Sequence, residues 1–351
     1  MNKSSEIKNN ISEKINKLKN VATADKKGVK LKPLIFFLSG FLFVSALFTI
    51  ILIFKANTTF NIVSQRITSF LSVNLANLPP ADPKERERLD VLILGIRGEN
   101  DPYGGQLTDT IILASINTKS HKTALISIPR DTYIKLPIVN TSAKLNEAYE
   151  VGEHKQPNGG GIALAKLAVE KIAGVNIDYA IVIDFLAFKE TVDLLGGIDV
   201  NAAKPLHENL QWGGKDFVVE PGINHMDGDT ALFYVRSRFT TSDFDRARRQ
   251  QEVILAIKQK ATSLGFISSP QKLFGVLDIL GRHVKTDLTA SEISKLYSIG
   301  QKIDSFNVRL KIIDTSEDLL IPSYNDAGAY ILLPAGNDFS QIHDVVRNIL
   351  N

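Results

Sequence analysis

The chain has 351 residues and a formal net charge of +3, which is uninformative because the N-terminal tail supplies most of the excess. It has no cysteine, which excludes disulfides, thiolate metal sites and a cysteine nucleophile. Its six histidines show no HExxH spacing, and there is neither a GxxxxGK[ST] loop nor a GxGxxG motif.

Residues 1–32 hold nine Lys, three acidic residues and no Arg. Such a tail is either solvated and disordered or laid on anionic lipid. The run Leu34–Phe54 follows, 21 residues without charge or proline. As a helix it spans roughly 30 Å, the thickness of a bilayer's hydrocarbon. It is too long for a signal peptide and lacks the polar face of a core helix, so the reading is one uncleaved transmembrane anchor. The next 24 residues, Lys55–Leu78, carry only Lys55 and Arg66. The positive-inside rule then puts the N-terminus in the cytoplasm and everything after Phe54 on the extracytoplasmic side of the cell membrane. Residues 55–88 read as a stalk, broken by Pro79, Pro80 and Pro83.

Folded structure is expected from residue 89. Val91–Leu94 is a short apolar run ending at Gly95, which reads as a buried strand. Thr110–Ile116 and Thr123–Ile128 are two more strands, joined by a turn short enough for an antiparallel pair. A helix is expected over Gly161–Ala173, a strand over Tyr179–Phe185, and a helix through Leu195. Ile198–Val200 is strand-like, and Asn201–Gly222 is a polar excursion without a period. Helices are then expected at Gly228–Arg238, Asp243–Leu264, Pro270–Arg282 and Ala290–Ile303. Strands Val308–Ile313 and Ala329–Leu333 and a helix Phe339–Leu350 close the chain. This alternation argues an α/β domain with helices on both faces of a mixed sheet.

Three clusters carry the chemistry. In Gly104-Gly105-Gln106-Leu107-Thr108-Asp109-Thr110, Asp109 stands where a glycine-containing loop enters a strand. A carboxylate there either ligates a divalent cation or caps a turn, and taken alone the cap is the commoner role. In Ser127-Ile128-Pro129-Arg130-Asp131-Thr132, Arg130 and Asp131 lie just past a strand, where ligands bind in open α/β sheets. A loop Arg–Asp pair of little energetic worth is the plainer reading. Tyr234–Gln251 holds five Arg and no Lys. Arginine's planar fork matches phosphate oxygens, whereas Lys is a point charge. Asp243 is a candidate N-cap for the following helix, on which Arg246, Arg249 and Gln250 share one face and Arg248 points elsewhere. Such a helix either presents guanidiniums to an anion or is a solvated basic helix paired with Asp243 and Asp245. Together the clusters suggest a site for a phosphate group plus a divalent metal, as phosphoryl transfer requires.

The order TDTIILASIN, ISIPRDTYI, KLNEAY, IDYAIVIDFLAFKETVDLLGGIDV, ALFYVRSR and DFDRARRQQ resembles the LytR-CpsA-Psr family over roughly residues 89–262. The resemblance implies an αβα sandwich with a mixed central sheet and an apolar pocket for a lipid tail. The helices Gly161–Ala173 and Phe185–Leu195 are rich enough in Leu, Ala and Phe to wall that pocket, although most of those residues must be core. One transmembrane helix precedes the catalytic domain, 89–265, and a smaller C-terminal α+β region, 266–351, follows it.

The implied activity is a magnesium-dependent transferase. It moves an anionic glycopolymer, with its phosphate, from a polyprenyl-pyrophosphate carrier to a peptidoglycan sugar hydroxyl and releases polyprenyl phosphate. The implied partners are that lipid-linked polymer, peptidoglycan and the membrane. Nucleic acid is not among them, since the cytoplasmic tail is too short and too Lys-only for a helix-turn-helix. By motif, Asp109 would bind Mg2+, with Asp101 a second candidate ligand. Arg130, Arg236, Arg238, Arg246, Arg249 and Gln250 would hold the pyrophosphate, and Asp131, Lys144 and Asn146 also match family positions. The chain departs from the pattern at Leu107 and Thr108, where the family places Arg and Ser, and at Arg97, where it often has Asp. Arg97, Glu99 and Asp101 share one loop and could substitute. A polyprenyl-pyrophosphate hydrolase and a non-catalytic binding or regulatory module are the rival readings.

Overall fold

The computed structural model describes residues 87–98, 101, 105–139, 141–263, 275, 278–279, 281–304 and 307–351. All belong to one compact unit, 55–351. The expected anchor Leu34–Phe54 and nearly all of the stalk lie outside the described residues, as does Glu99. Among the described residues, no helix is long and apolar enough to cross a membrane.

The first three strands are β1 (Arg88–Ile96), β2 (Thr110–Asn117) and β3 (Thr123–Ser127), consecutively antiparallel as expected. Their side chains are apolar at successive positions because both faces of the sheet are covered. Leu92, Leu94 and Leu113 pack into one cluster, and Val91, Ile112 and Ala114 into another. β4 (Tyr133–Lys135) and β5 (Ser142–Lys144) form a small hairpin, followed by α1 (Ala148–Lys155) and α2 (Gly160–Ala173). Gly174 ends α2 in the left-handed region, at φ 68°, which suits glycine.

β6 (Tyr179–Asp184) runs parallel to β1. It stops one residue earlier than expected because Asp184 becomes the N-cap of α3 (Phe185–Leu194), accepting from the Ala187 N–H at 2.7 Å. The polar excursion is structured. β7 (Ile198–Ala202) pairs with β10 (Gly222–Met226), and between them β8 (Leu206–Glu208) pairs with β9 (Phe217–Val219). α4 (Gly228–Arg236) and α5 (Asp243–Ser263) follow.

The C-terminal residues correct an expected boundary. β11 (Val284–Thr286) pairs with β6, and α6 (Ala290–Gly300) leads to β12 (Arg309–Ile312), which pairs in parallel with β3. The sheet order is therefore β11-β6-β1-β2-β3-β12, with both edges supplied by residues after 266. This region completes the mixed sheet instead of forming a separate appendage. Short edge strands carry little apolar pattern, which hid the first of them from the sequence. β13 (Leu320–Tyr324), β14 (Tyr330–Pro334) and α7 (Ser340–Asn348) complete the chain. The expected helix Pro270–Arg282 falls largely outside the described residues.

One face of the sheet packs on α1, α2 and α7, and the other on α5 and α6. Because β1, β3, β6 and β12 run the same way, their carboxyl ends share one side of the sheet. The loop leading into β2 reaches the same side.

Candidate functional site

The strand ends bring the sequence clusters together. Arg97 follows β1, Asp109 precedes β2, and Arg130 and Asp131 follow β3. Gly95 makes the first juxtaposition possible. It lies opposite Thr110, and a Cβ there would sit 2.8 Å from the Thr110 Cβ. The backbone around Asn146 ties two of the loops: its carbonyl accepts from the Thr108 N–H at 3.0 Å, and its N–H donates to the Arg130 carbonyl at 3.1 Å.

α5 supplies the opposing wall. Its buried Gln251 donates to the carbonyls of Leu125 (3.1 Å) and Lys311 (2.9 Å) and to Ser127 Oγ (2.8 Å), fixing the helix across β3 and β12. Arg246 and Gln250 then face the strand ends. The N-cap is Ser242, not the expected Asp243: the Ser242 Oγ accepts from the Asp245 N–H at 3.0 Å. This leaves the Asp243 carboxylate for Arg130 (3.2 Å), Arg246 (3.3 Å) and Arg238 (3.5 Å). Burial opposes its charge, but the three guanidiniums prevail and hold it below the usual carboxylate range.

Arg130 is the most heavily paired cation. It donates to Asp109 and Asp243 and lies 3.6 Å from Asp131, which also accepts from Lys144 at 2.7 Å. Burial works against its charge, yet Asp109 and Asp243 outweigh burial and raise its pKa. Arg246 is the contrast. Burial draws it down to about 10, Asp243 only partly compensates, and Arg130 pushes the same way as burial. Its buried Nε has no hydrogen-bond partner among the described residues. Arg236 is lowered too, by burial and then by neighbouring Arg97, and it lies 4.4 Å from the Phe185 ring centroid. A partly desolvated, mutually repelling set of guanidiniums is stabilised by an incoming anion.

Two hollows meet at this cluster. The first is a cleft of about 910 Å³, part of it open to solvent. Its floor is apolar, from Ile93 and Ile183 through Phe188, Leu232 and Val235 to Val253 and Ile257. Its rim carries Arg97, Arg236, Arg238 and Arg246 with Asp109 and Asp184. The second, of about 790 Å³, is lined by Asp109, Arg130, Asp131, Asp243, Arg246 and Tyr330 among others. Asp109, Arg246 and Gln250 line both.

Two sequence expectations need correction. Arg249 does not share the site. It is buried, donating to the Tyr234 carbonyl at 3.0 Å, to the Ser237 carbonyl and to Thr241 Oγ1 at 3.2 Å. It therefore shapes the chain around Arg236 and Arg238 from behind. And α2 does not line the cleft: its apolar residues belong to the core on the opposite face. The cleft is walled instead by α3, α4 and α5. Arg248 pairs with Asp245 at 2.6 Å, away from the site as expected.

Sequence reasoning missed Glu208 and His283. Buried Glu208 accepts from the Phe239 and Thr240 N–H groups at 2.9 and 3.3 Å, bracing the loop after Arg238. His283 Nδ1 lies 3.0 Å from Asp184 Oδ2 at the edge of the cleft. Neither stands in a motif, so no local signal marked them.

Among the described residues, no group of three or more His, Asp or Glu could hold a metal ion alone. Asp109 Oδ1 accepts from Arg130, whereas its Oδ2 accepts no hydrogen bond among the described residues. Such a donor set suits only an ion that takes further ligands from substrate and water, as Mg2+ does beside phosphates.

An apolar cleft rimmed by arginine opens at the carboxyl side of a mixed sheet. Residues 53–343 match the LytR_cpsA_psr family. The chain belongs to this family. It is 34% identical over 216 residues to an Enterococcus faecalis polyisoprenyl-teichoic acid–peptidoglycan teichoic acid transferase TagU, covering 60% of this chain and 65% of that protein. It is 29% identical over 252 residues to the Bacillus subtilis transferase TagT, covering 70% and 71%. The chain thus spans about two thirds of these relatives' length. Among solved structures, TagT bound to LIIa-WTA superposes with a TM-score of 0.60 at 26% identity, covering 79% of this chain and 95% of that one. The B. subtilis TagT crystal structure gives 0.58 at 25% identity, covering 79% and 96%.

Proposed function

We propose that this chain transfers an anionic glycopolymer from a polyprenyl-pyrophosphate carrier to a peptidoglycan sugar hydroxyl. The observation that carries this reading is the joining of the apolar cleft to an arginine rim, with the unpartnered Nε of buried Arg246 at the join. The polyprenyl chain would lie along Phe188, Leu232, Val253 and Ile257. The pyrophosphate would take the donors of Arg97, Arg236, Arg238 and Arg246 and the amide of Gln250. The names of the transferases described above point to the same donor and acceptor classes.

The acceptor oxygen forms a bond to the phosphorus that carries the polymer. The bond from that phosphorus to the bridging oxygen breaks, and its electron pair leaves on polyprenyl phosphate. The hydroxyl proton passes to Asp109 or Asp101, to a carboxylate oxygen that the metal leaves free; Asp109 is the one carboxylate that lines both hollows. Because phosphoryl transfer is loose, most of the acceleration comes from neutralising spread charge, and that is the task of the arginines. Mg2+, held by Asp109 and Asp101 together with pyrophosphate oxygens, would supply further neutralisation. Leu34–Phe54 would keep the domain at the outer face of the cell membrane, where a lipid-bound donor stays.

The test incubates the full chain in lipid vesicles with a polyprenyl-pyrophosphate glycan, Mg2+ and peptidoglycan. Polymer bound to peptidoglycan, lost in Asp109→Ala and Arg130→Ala, is the expected result. Phosphate-ended glycan released without attachment would make the protein a hydrolase. Tight donor binding without turnover would make it a binding module.

A further inference from the structure

The second hollow differs chemically from the cleft. The cleft has four Arg to two Asp among its lining residues, and the second hollow has three Asp to two Arg. The lining favours a polyanion in the first more than in the second. What suits the second is a neutral ligand rich in hydroxyls, since ionised carboxylates accept hydrogen bonds and donate none.

Its outer wall is aromatic. Tyr330 lines it and faces Tyr324 across the β13–β14 hairpin, with ring centroids 6.1 Å apart at 79°. Tyr324 is 70% exposed and Tyr330 40% exposed, both high for such large rings. The hairpin is tied to the site: the Leu332 N–H donates to the Asp131 carbonyl at 2.9 Å, and Thr132 bridges to Leu332. The Tyr330 hydroxyl is pushed up by burial, with Asp131 and Asp243 adding to the effect, which places the ring beside these carboxylates. A pyranose presents a C–H face, weakly positive, that complements the negative face of an aromatic ring.

We propose that the hollow between Tyr330 and Asp131 is the subsite for the acceptor glycan, with one pyranose stacked on Tyr330 and the next reaching Tyr324. The inference rests on the transfer reading and deepens it. A donor in the cleft and an acceptor in the hollow would approach Asp109, Arg246 and Gln250 from two sides, which suits an in-line displacement at phosphorus. It also gives the C-terminal hairpin a task, as the element that presents the acceptor.

The test measures binding of neutral β-1,4-linked N-acetylglucosamine oligosaccharides, which offer the pyranose faces of the acceptor glycan without its lactyl carboxylates, to the full chain without donor. Tyr330→Ala should weaken this binding about tenfold, with thermal stability as the control for folding. Tyr330→Phe, which keeps the ring, should weaken it less than twofold, and Tyr324→Ala should fall between. Equal losses in Tyr330→Ala and Tyr330→Phe would overturn stacking. Unchanged binding in Tyr330→Ala, or preferential binding of an anionic teichoic-type polymer at this place, would overturn the subsite. Because no donor is present, glycan binding can fail while transfer survives, and transfer can fail while glycan binding survives.

Discussion

The cleft and the hollow share Asp109, Arg246 and Gln250 and otherwise oppose each other in chemistry. The cleft joins an apolar floor to a rim on which burial lowers Arg246 and Arg236. In the hollow the central cation, Arg130, has three carboxylates about it. The lesson concerns pairing more than the count of arginines. Arg130 organises carboxylates and is raised by them, whereas Arg246 and Arg236 are lowered and gain most from an added anion.

The largest expected effect breaks the shared wall. Arg246→Ala should lower transfer by roughly a thousandfold, as loss of a charge-stabilising arginine does in phosphoryl transfer. Arg246→Lys should not restore it, because an ammonium cannot supply two parallel bonds. Steady-state rates with both variants check this. A Lys variant near wild type would mean that a point charge suffices.

The cleft alone is weakened by Leu232→Ala, which removes apolar surface from its floor. A loss of about 1 to 2 kcal/mol in affinity for long polyprenyl donors is expected, with little change for a short-chain donor of the same headgroup. Titration of the two donors separates them. An equal loss for both would place the lipid elsewhere.

Gly95→Ala probes how the sheet sets Asp109. The new Cβ would crowd Thr110 from 2.8 Å. Overpacking of this kind costs about 1 to 3 kcal/mol, visible as a lower Tm, and it should displace Asp109 enough to depress turnover. Normal turnover at lowered Tm would separate strand packing from the site.

Much of this comparison was legible beforehand. β1 to β3 announced themselves because both faces are buried, which turns the strands into apolar runs. Asp109, Arg130, Arg236, Arg238, Arg246 and Gln250 converge because their motifs sit at strand and helix ends. Arg249 did not follow. Helical spacing places a Cβ on a face, but a guanidinium on its flexible stem can turn back to the carbonyls of Tyr234 and Ser237. The hollow was illegible, since Tyr330 reaches Asp131 through a pairing about 200 residues apart that no local pattern encodes. The cap of α5 was misplaced by one residue: Ser242 and Asp243 are both good N-caps, and tertiary arginines claimed the carboxylate.

That cap gives the smallest test, because Ser242 supports the shared wall from the edge of the second hollow and stays out of the cleft. Ser242 Oγ donates to Asp245 at 2.8 Å and accepts its N–H. Burial opposes the Asp245 charge, but Ser242 and Arg248 prevail and hold its carboxyl down to about 2. A carboxyl lowered on folding contributes stability above its ordinary range and loses it as pH falls toward the folded value. Ser242→Ala should therefore cost about 1 kcal/mol at neutral pH and lower Tm by a few degrees. The deficit should shrink between pH 4 and pH 2, where wild type loses the same carboxylate contribution. Thermal melts across that range check the sign. A deficit constant down to pH 2 would assign the whole loss to the capped N–H and none to the carboxylate.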